Sequence, residues 1–192
     1  MNIGVDLDGV VFDTERHFRA YADHFNYLYN NYEFLDKLAP RLQKRYNWNE
    51  DLKQKFFDEY LLRVHLESPL CPLAKEILAT LRAQGHKLIA ITNRGNVDPR
   101  EVEITHQRCE KDGIKFDKLH FFQENKLPIC QEEKIDIMLE DYYDNVKQLS
   151  ENGIPCIYFR YFYEKCDNPN VYEVQSWGQV LPTIDEIVAK KQ

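Results

Sequence analysis

With 192 residues, of which 43% are hydrophobic and 30% charged, the chain has material for one substantial core plus a small accessory unit, and it is too apolar to be disordered. No stretch approaches the roughly 20 apolar residues of a membrane span, and the apolar run at the amino terminus is broken by Asp6 and Asp8, so it does not read as a secretory signal; no membrane association and a cytoplasmic location are expected. The net charge of -7 excludes a broad basic face for nucleic-acid polymers, and any phosphate the protein handles must find its positive charge locally.

Residues 3–7 form an apolar run that ends abruptly in acidic residues, the pattern of a buried parallel strand reaching the carboxyl edge of a sheet. From 14 to 66 the pattern changes to aromatic and charged residues at helical spacing, with breaks at Pro40 and at 47–49, which predicts two to four helices. Residues 73–83 repeat apolar positions at Leu73, Ile77, Leu78 and Leu81, close on Gly85, and lead into an apolar strand over 86–92. A helix over 99–111, strands near 119–122 and 135–139, a helix over 142–151 ending at Gly153, and a strand at 156–159 continue the alternation. The tail from 181 to 190 reads as a last helix, with Thr183 as its N-cap and Glu186 completing a capping box. Alternating helices and strands imply an α/β fold with a parallel sheet flanked by helices on both faces. The five cysteines (Cys71, Cys109, Cys130, Cys156 and Cys166) are scattered and form no Cys-x-x-Cys pair, so reduced thiols are expected rather than a zinc site.

In an open parallel sheet, ligands collect beyond the carboxyl ends of the strands, so the residues just past each apolar run carry the functional information. Four such ends can be inspected: Asp6-Leu-Asp8-Gly9, Thr92-Asn93-Arg94, Asn125-Lys126 and Glu140-Asp141. If strand geometry persists, Asp6 and Asp8 leave on one face, where two carboxylates repel until a cation neutralises them. A hard divalent ion such as Mg2+ answers that problem and leaves a carboxylate able to attack phosphorus. A calcium loop is excluded, because Val10, Val11 and Phe12 occupy the places where further oxygen ligands would follow. Thr92 offers a hydroxyl, and the amides of Asn93 and Arg94 can converge on the same oxygens, although a Thr that merely ends a strand is equally ordinary. Arg94 reads as a phosphate partner or as a loop charge. Lys126 reads as a point charge at the site or as a surface lysine. Asp141 or Glu140 could complete a metal shell, or cap the helix that follows.

Together, Asp6-Leu-Asp8-Gly9-Val10, the strand ending in Thr92, Lys126, and the strand ending in Glu140-Asp141 resemble, in order, the four signature motifs of haloacid dehalogenase-like phosphatases. The resemblance implies a Rossmann-like core of residues 1–13 and 69–192, with a small helical cap of the C1 type, residues 14–68, inserted after the first strand and lying over the site. Phe12-Asp13 and Lys126-x-x-x-Cys130 narrow it to the 5'(3')-deoxyribonucleotidase type and its nucleotidase relatives, although Thr14 stands where those enzymes carry an aromatic residue that helps hold the base. It further implies Mg2+ as cofactor and a small phosphorylated metabolite, a (deoxy)nucleoside monophosphate, as substrate. Asp6 would attack the phosphoryl group and Asp8 would shuttle the proton. Thr92, Lys126, Asn93 and Arg94 would hold phosphate. The Asp6 carboxylate, the Asp8 carbonyl, Asp141 and Glu140, inner or outer shell, would hold the metal. Asp8 argues against the dehalogenase branch, which lacks that second aspartate. A sugar-phosphate or other metabolite phosphatase, a phosphomutase and a non-catalytic binding module on the same fold stand as alternatives.

Overall fold

The computed structural model describes residues 1–39, 42–161 and 164–190; Pro40, read above as a helix break, lies outside them. The chain divides into two compact units, Met1–Phe12 with Leu70–Gln192, and Asp13–Pro69.

The first unit opens with β1 (Asn2–Val5), after which a tight loop folds back on itself: Val11 and Phe12 N–H both donate to Leu7 O, and Gly9 N–H donates to Phe12 O. Gly9 takes φ +76°, a conformation that a side chain would strain. The second unit follows, with α1 (Thr14–Tyr29), α2 (Leu42–Arg45) and α3 (Glu50–Glu67). Its core is aromatic: Phe25, Tyr46, Trp48, Phe56 and Tyr60 are buried together, with Tyr46 and Trp48 stacked at 4.5 Å. The polar atoms of this core are satisfied, since Trp48 Nε1 donates to Asn26 Oδ1 at 2.8 Å and Tyr46 OH donates to Asp23 at 2.7 Å. Asn49 caps α3 by accepting from Leu52 N–H. Asp13 occupies the corresponding position of α1 without a cap bond and pairs with Arg16 instead.

Back in the first unit, α4 (Ala74–Ala83), β2 (Lys87–Ile91), α5 (Arg100–Asp112), β3 (Lys118–His120), α6 (Leu127–Glu132), β4 (Ile137–Glu140), α7 (Tyr143–Glu151), β5 (Cys156–Phe159), β6 (Val171–Val174) and α8 (Val180–Lys190) follow in order. The six strands form one sheet of order β3-β2-β1-β4-β5-β6 in which every neighbouring pair is parallel. Successive side chains of β4 separate cleanly: Ile137 and Leu139 join the core under α4 and α8, whereas Met138 joins the core under α6 and α7. The α/β sheet expected from the alternation is therefore present, with helices on both faces. All five cysteines are buried thiols, with no disulfide among them.

Four details differ from the sequence reading, the first being α6, a helix it did not name. The edge strand β6 carries no continuous apolar run, because its first three residues are only half-buried, and it was not foreseen. The last helix begins at Val180, so Thr183 lies inside its first turn, where its hydroxyl donates back to Gln179 O at 2.7 Å rather than capping. The third strand stops at His120, and Phe122 turns to φ 61° as its N–H donates to Arg94 O.

The first loop is pinned from the far end of the chain: the indole of Trp177, 1% exposed, donates to Val10 O at 2.7 Å. Trp177→Phe keeps only the six-membered ring, so it removes buried volume as well as the donor to that carbonyl, and should cost at least ~1–3 kcal/mol in equilibrium urea denaturation. An unchanged midpoint would show that the loop holds itself.

Candidate active site

The strand order reverses direction between β1 and β4, and such a switch point opens a crevice at the carboxyl edge of the sheet. Asp6 follows β1 directly and still pairs with β4, its N–H donating to Leu139 O at 3.0 Å. Glu140 ends β4 and Asp141 follows it. One carboxylate oxygen from each of Asp6, Glu140 and Asp141 lies within 4.8 Å of the others, and all three residues are buried. Gly9 makes room for this cluster, because a Cβ there would sit 2.0 Å from Asp141 Oδ2.

Two buried cations serve the same edge. Lys126, between β3 and α6 and 2% exposed, places Nζ 2.7 Å from Asp6 Oδ1 and 2.8 Å from Glu140 Oε2. Arg94, just past β2 and 3% exposed, grips Asp8 with two nitrogens, Nη2 to Oδ1 at 2.6 Å and Nε to Oδ2 at 2.9 Å. The acidic chain thus supplies positive charge where a phosphate would need it. Asp6 and Asp8 also do not share one cation: each carboxylate has its own.

Burial pushes the Asp6 carboxyl up to about 7 against the pull of Lys126, and the nearby Glu140 and Asp8 charges add to the rise. Burial alone would lower the Lys126 ammonium, but Asp6 and Glu140 outweigh it and hold the lysine charged. Glu140 accepts from four donors: Lys126 Nζ, Asn145 Nδ2 at 3.3 Å, Asp141 N–H at 3.2 Å and Tyr142 N–H at 3.0 Å. That set fills the acceptor capacity of a carboxylate, so Glu140 acts as the organiser of its neighbours. Thr92 is buried, and its hydroxyl accepts from Arg94 N–H at 3.3 Å; Asn93 is exposed at the tip of the same loop. Burial also pushes the Cys130 thiol up to about 12, so this cysteine is a packing residue.

A family model described as 5' nucleotidase, deoxy (pyrimidine), cytosolic type C protein matches residues 1–192. The chain belongs to that family. A nucleotidase from Clostridium acetobutylicum is 25% identical over 196 residues that cover all of this chain and 97% of its own. Among solved structures, a protein described as a predicted phosphatase from the same organism superposes with a TM-score of 0.69 at 17% identity, covering 96% of this chain and 98% of its own. A haloacid dehalogenase-superfamily hydrolase from Geobacter sulfurreducens superposes with a TM-score of 0.61 at 15% identity, covering 95% and 98%. These two likenesses establish the fold. The family model and the nucleotidase relative establish the class: the protein is a phosphatase of the nucleotidase type, on a fold shared with haloacid dehalogenase-superfamily hydrolases.

The sequence reading named Asp6, Asp8, Thr92, Asn93, Arg94, Lys126, Glu140 and Asp141, and the structure brings Asp6, Lys126, Glu140 and Asp141 into one cluster, with Asp8 and Arg94 paired beside it. It missed Thr105 and Glu101 on the buried side of α5. Thr105 Oγ1 accepts from Arg94 Nη1 at 3.0 Å, and the Glu101 carboxylate accepts from Gly95 N–H at 2.8 Å. Their signal was available as polar residues four apart on a helix, but a solvated face gives the same pattern.

The donor set of hard carboxylate oxygens fits a divalent cation such as Mg2+, and the raised Asp6 sets a pH signature for it. Between the ordinary 3.8 and about 7, the folded metal-free protein keeps a proton on Asp6 that the unfolded chain has released, so stability falls as pH rises through that window. A cation must displace that proton below about 7, so added Mg2+ should raise Tm more at about pH 8 than at about pH 5 in thermal denaturation. A gain that is equal at both values, or absent, would contradict a site built on Asp6.

Proposed function

We propose that this chain is a Mg2+-dependent hydrolase of nucleoside monophosphates, deoxypyrimidine nucleotides foremost, acting through an aspartyl-phosphate on Asp6. The observation that carries the reading is the pairing of Asp6 with Lys126 at 2.7 Å, inside a buried carboxylate cluster at the switch point of the sheet. The family model and the nucleotidase relative support the nucleotide as substrate.

In this scheme Asp6 attacks phosphorus while the carboxyl of Asp8 gives its proton to the departing sugar oxygen. Asp8 then takes a proton from water, which attacks the aspartyl-phosphate, releases inorganic phosphate and restores Asp6. Lys126 faces the charge that develops on the phosphoryl oxygens, with the Thr92 hydroxyl and the Asn93 N–H as further donors. The carboxylates of Asp6 and Asp141 and the carbonyl of Asp8 would hold Mg2+, with Glu140 behind them fixing Lys126 and the Asp141 peptide. When bound, the ion neutralises phosphoryl charge and keeps Asp6 ionised. Thr14, in place of an aromatic base-holding residue, favours a second reading in which the substrate is a sugar phosphate or another small ester.

A panel of phosphate esters with Mg2+ separates the two readings: deoxypyrimidine monophosphates should give the highest kcat/KM, and a sugar phosphate at the head of the panel would install the second. Asp6→Asn should abolish steady-state turnover with the fold retained, and Lys126→Ala should lower kcat on the order of 10²-fold or more, as the loss of a preorganised electrostatic donor does. Near wild-type turnover by Asp6→Asn, or a change under about twofold for Lys126→Ala, would remove the corresponding residue from the scheme.

A further inference from the structure

The hydrolytic scheme gives the phosphoryl end of a substrate its partners but leaves the organic end without one. Phe122, in the loop that leaves β3 and four positions before Lys126, is 51% exposed. Its backbone takes φ 61°, a region that a residue with a bulky side chain enters only at a cost. Hydrogen bonds to the neighbouring loop, the one that leaves β2, maintain that conformation. Phe122 N–H donates to Arg94 O at 3.0 Å, and Gln123 N–H donates to Thr92 O at 3.0 Å. The same loop also makes room for the ring. Gly95 takes φ +99°, and a Cβ there would sit 2.5 Å from Phe122 Cε1 and 2.9 Å from Cδ1. An aromatic ring is thus held half in solvent at the junction of the two loops that carry Thr92 and Lys126.

Packing does not account for this residue. A phenylalanine that served the core would be buried, and a loop position with this backbone and this exposure suits glycine or asparagine. Backbone strain kept around an exposed apolar ring, on the edge that carries the charged cluster, marks a contact reserved for a ligand. The facing loop is polar at its tip: Asn93 and Asn96 are exposed, and Asn96 Nδ2 donates to Asn93 Oδ1. A flat apolar face next to carboxamides matches a planar heterocycle, whose faces stack and whose edges donate and accept hydrogen bonds.

We infer that Phe122, seated on Gly95, is a specificity residue that stacks on the base of a nucleotide whose phosphate the scheme gives to Lys126 and Thr92. The inference deepens the nucleotide reading given above and rests on it. It places base recognition on the loop that also carries Lys126, so that one short segment answers both ends of the substrate.

The contact is isolated by removing the base from the substrate. The test measures kcat/KM for the deoxynucleoside 5'-monophosphate that the wild type turns over best and for 2-deoxyribose 5-phosphate, which keeps the phosphate and the sugar. The readout is the ratio of the two. Phe122→Ala removes the ring, Phe122→Leu keeps apolar bulk without a flat face, and Phe122→Tyr keeps the face. In Phe122→Ala and Phe122→Leu the ratio should fall about tenfold, the loss of one aromatic–base stack, through a higher KM for the nucleotide. Phe122→Tyr should keep the wild-type ratio. A ratio that falls less than about threefold in Phe122→Ala or Phe122→Leu overturns the inference and leaves the nucleotide reading standing. A general disturbance of the loop slows both esters alike and gives that result. A wild type that turns over the base-free ester as well as the nucleotide overturns the nucleotide reading, and the inference falls with it. Should Phe122→Ala fail to fold, the ratio in Phe122→Leu decides the question by the same criterion.

Discussion

The site depends on one electrostatic constraint. Four carboxylates, those of Asp6, Asp8, Glu140 and Asp141, meet at the edge of the sheet with two cations, Lys126 and Arg94, and all but Asp8 are buried. Buried like charges cannot all ionise without compensation. Arg94 takes Asp8, and Lys126 is shared by Asp6 and Glu140. Burial, with the Glu140 and Asp8 charges adding to it, pushes Asp6 up to about 7 when only protein groups answer it. Lys126 and a cation together would return Asp6 to the ionised form that a nucleophile requires.

The fold delivers this arrangement through topology. The strands step outward from β1 to β3, return to β4 beside β1, and step outward again to β6, which leaves Asp6 and the Glu140-Asp141 pair on adjacent strands at the reversal. Gly9 lets the first loop fold tightly enough for Asp141 to occupy the space a side chain would fill, and Trp177 anchors that loop through Val10. The polar groups that orient the charges come from behind the edge: Asn145 and two backbone N–H groups on Glu140, and Thr105 on Arg94.

Much of this was legible in the sequence because buried parallel strands write themselves as apolar runs, and the residue after each run is located by the run itself. Asp6, Thr92 and Glu140-Asp141 were found that way. Lys126 was harder, because a lysine after a strand is ordinarily a surface residue, and only its burial between Asp6 and Glu140 distinguishes it. Arg94 was open between phosphate and solvent, and in the structure it is buried, with its direction decided by a tertiary contact with Asp8, 86 positions away. Thr105, Glu101 and the edge strand β6 were hidden for the same reason, since helix faces with mixed polarity and short half-buried strands look alike whether or not they face a site. Thr183 shows the converse: a capping-box pattern lost to a helix that starts three residues earlier.

The central claim is that Asp6 is held ionised in order to become the phosphoryl acceptor. Acid quench of the enzyme during turnover of its best ester, followed by proteolysis and mass mapping, tests it most directly. The account predicts an acid-stable, hydroxylamine-sensitive phosphoryl group on the peptide bearing Asp6, absent without Mg2+. Active enzyme that carries its phosphoryl group on another residue would contradict it.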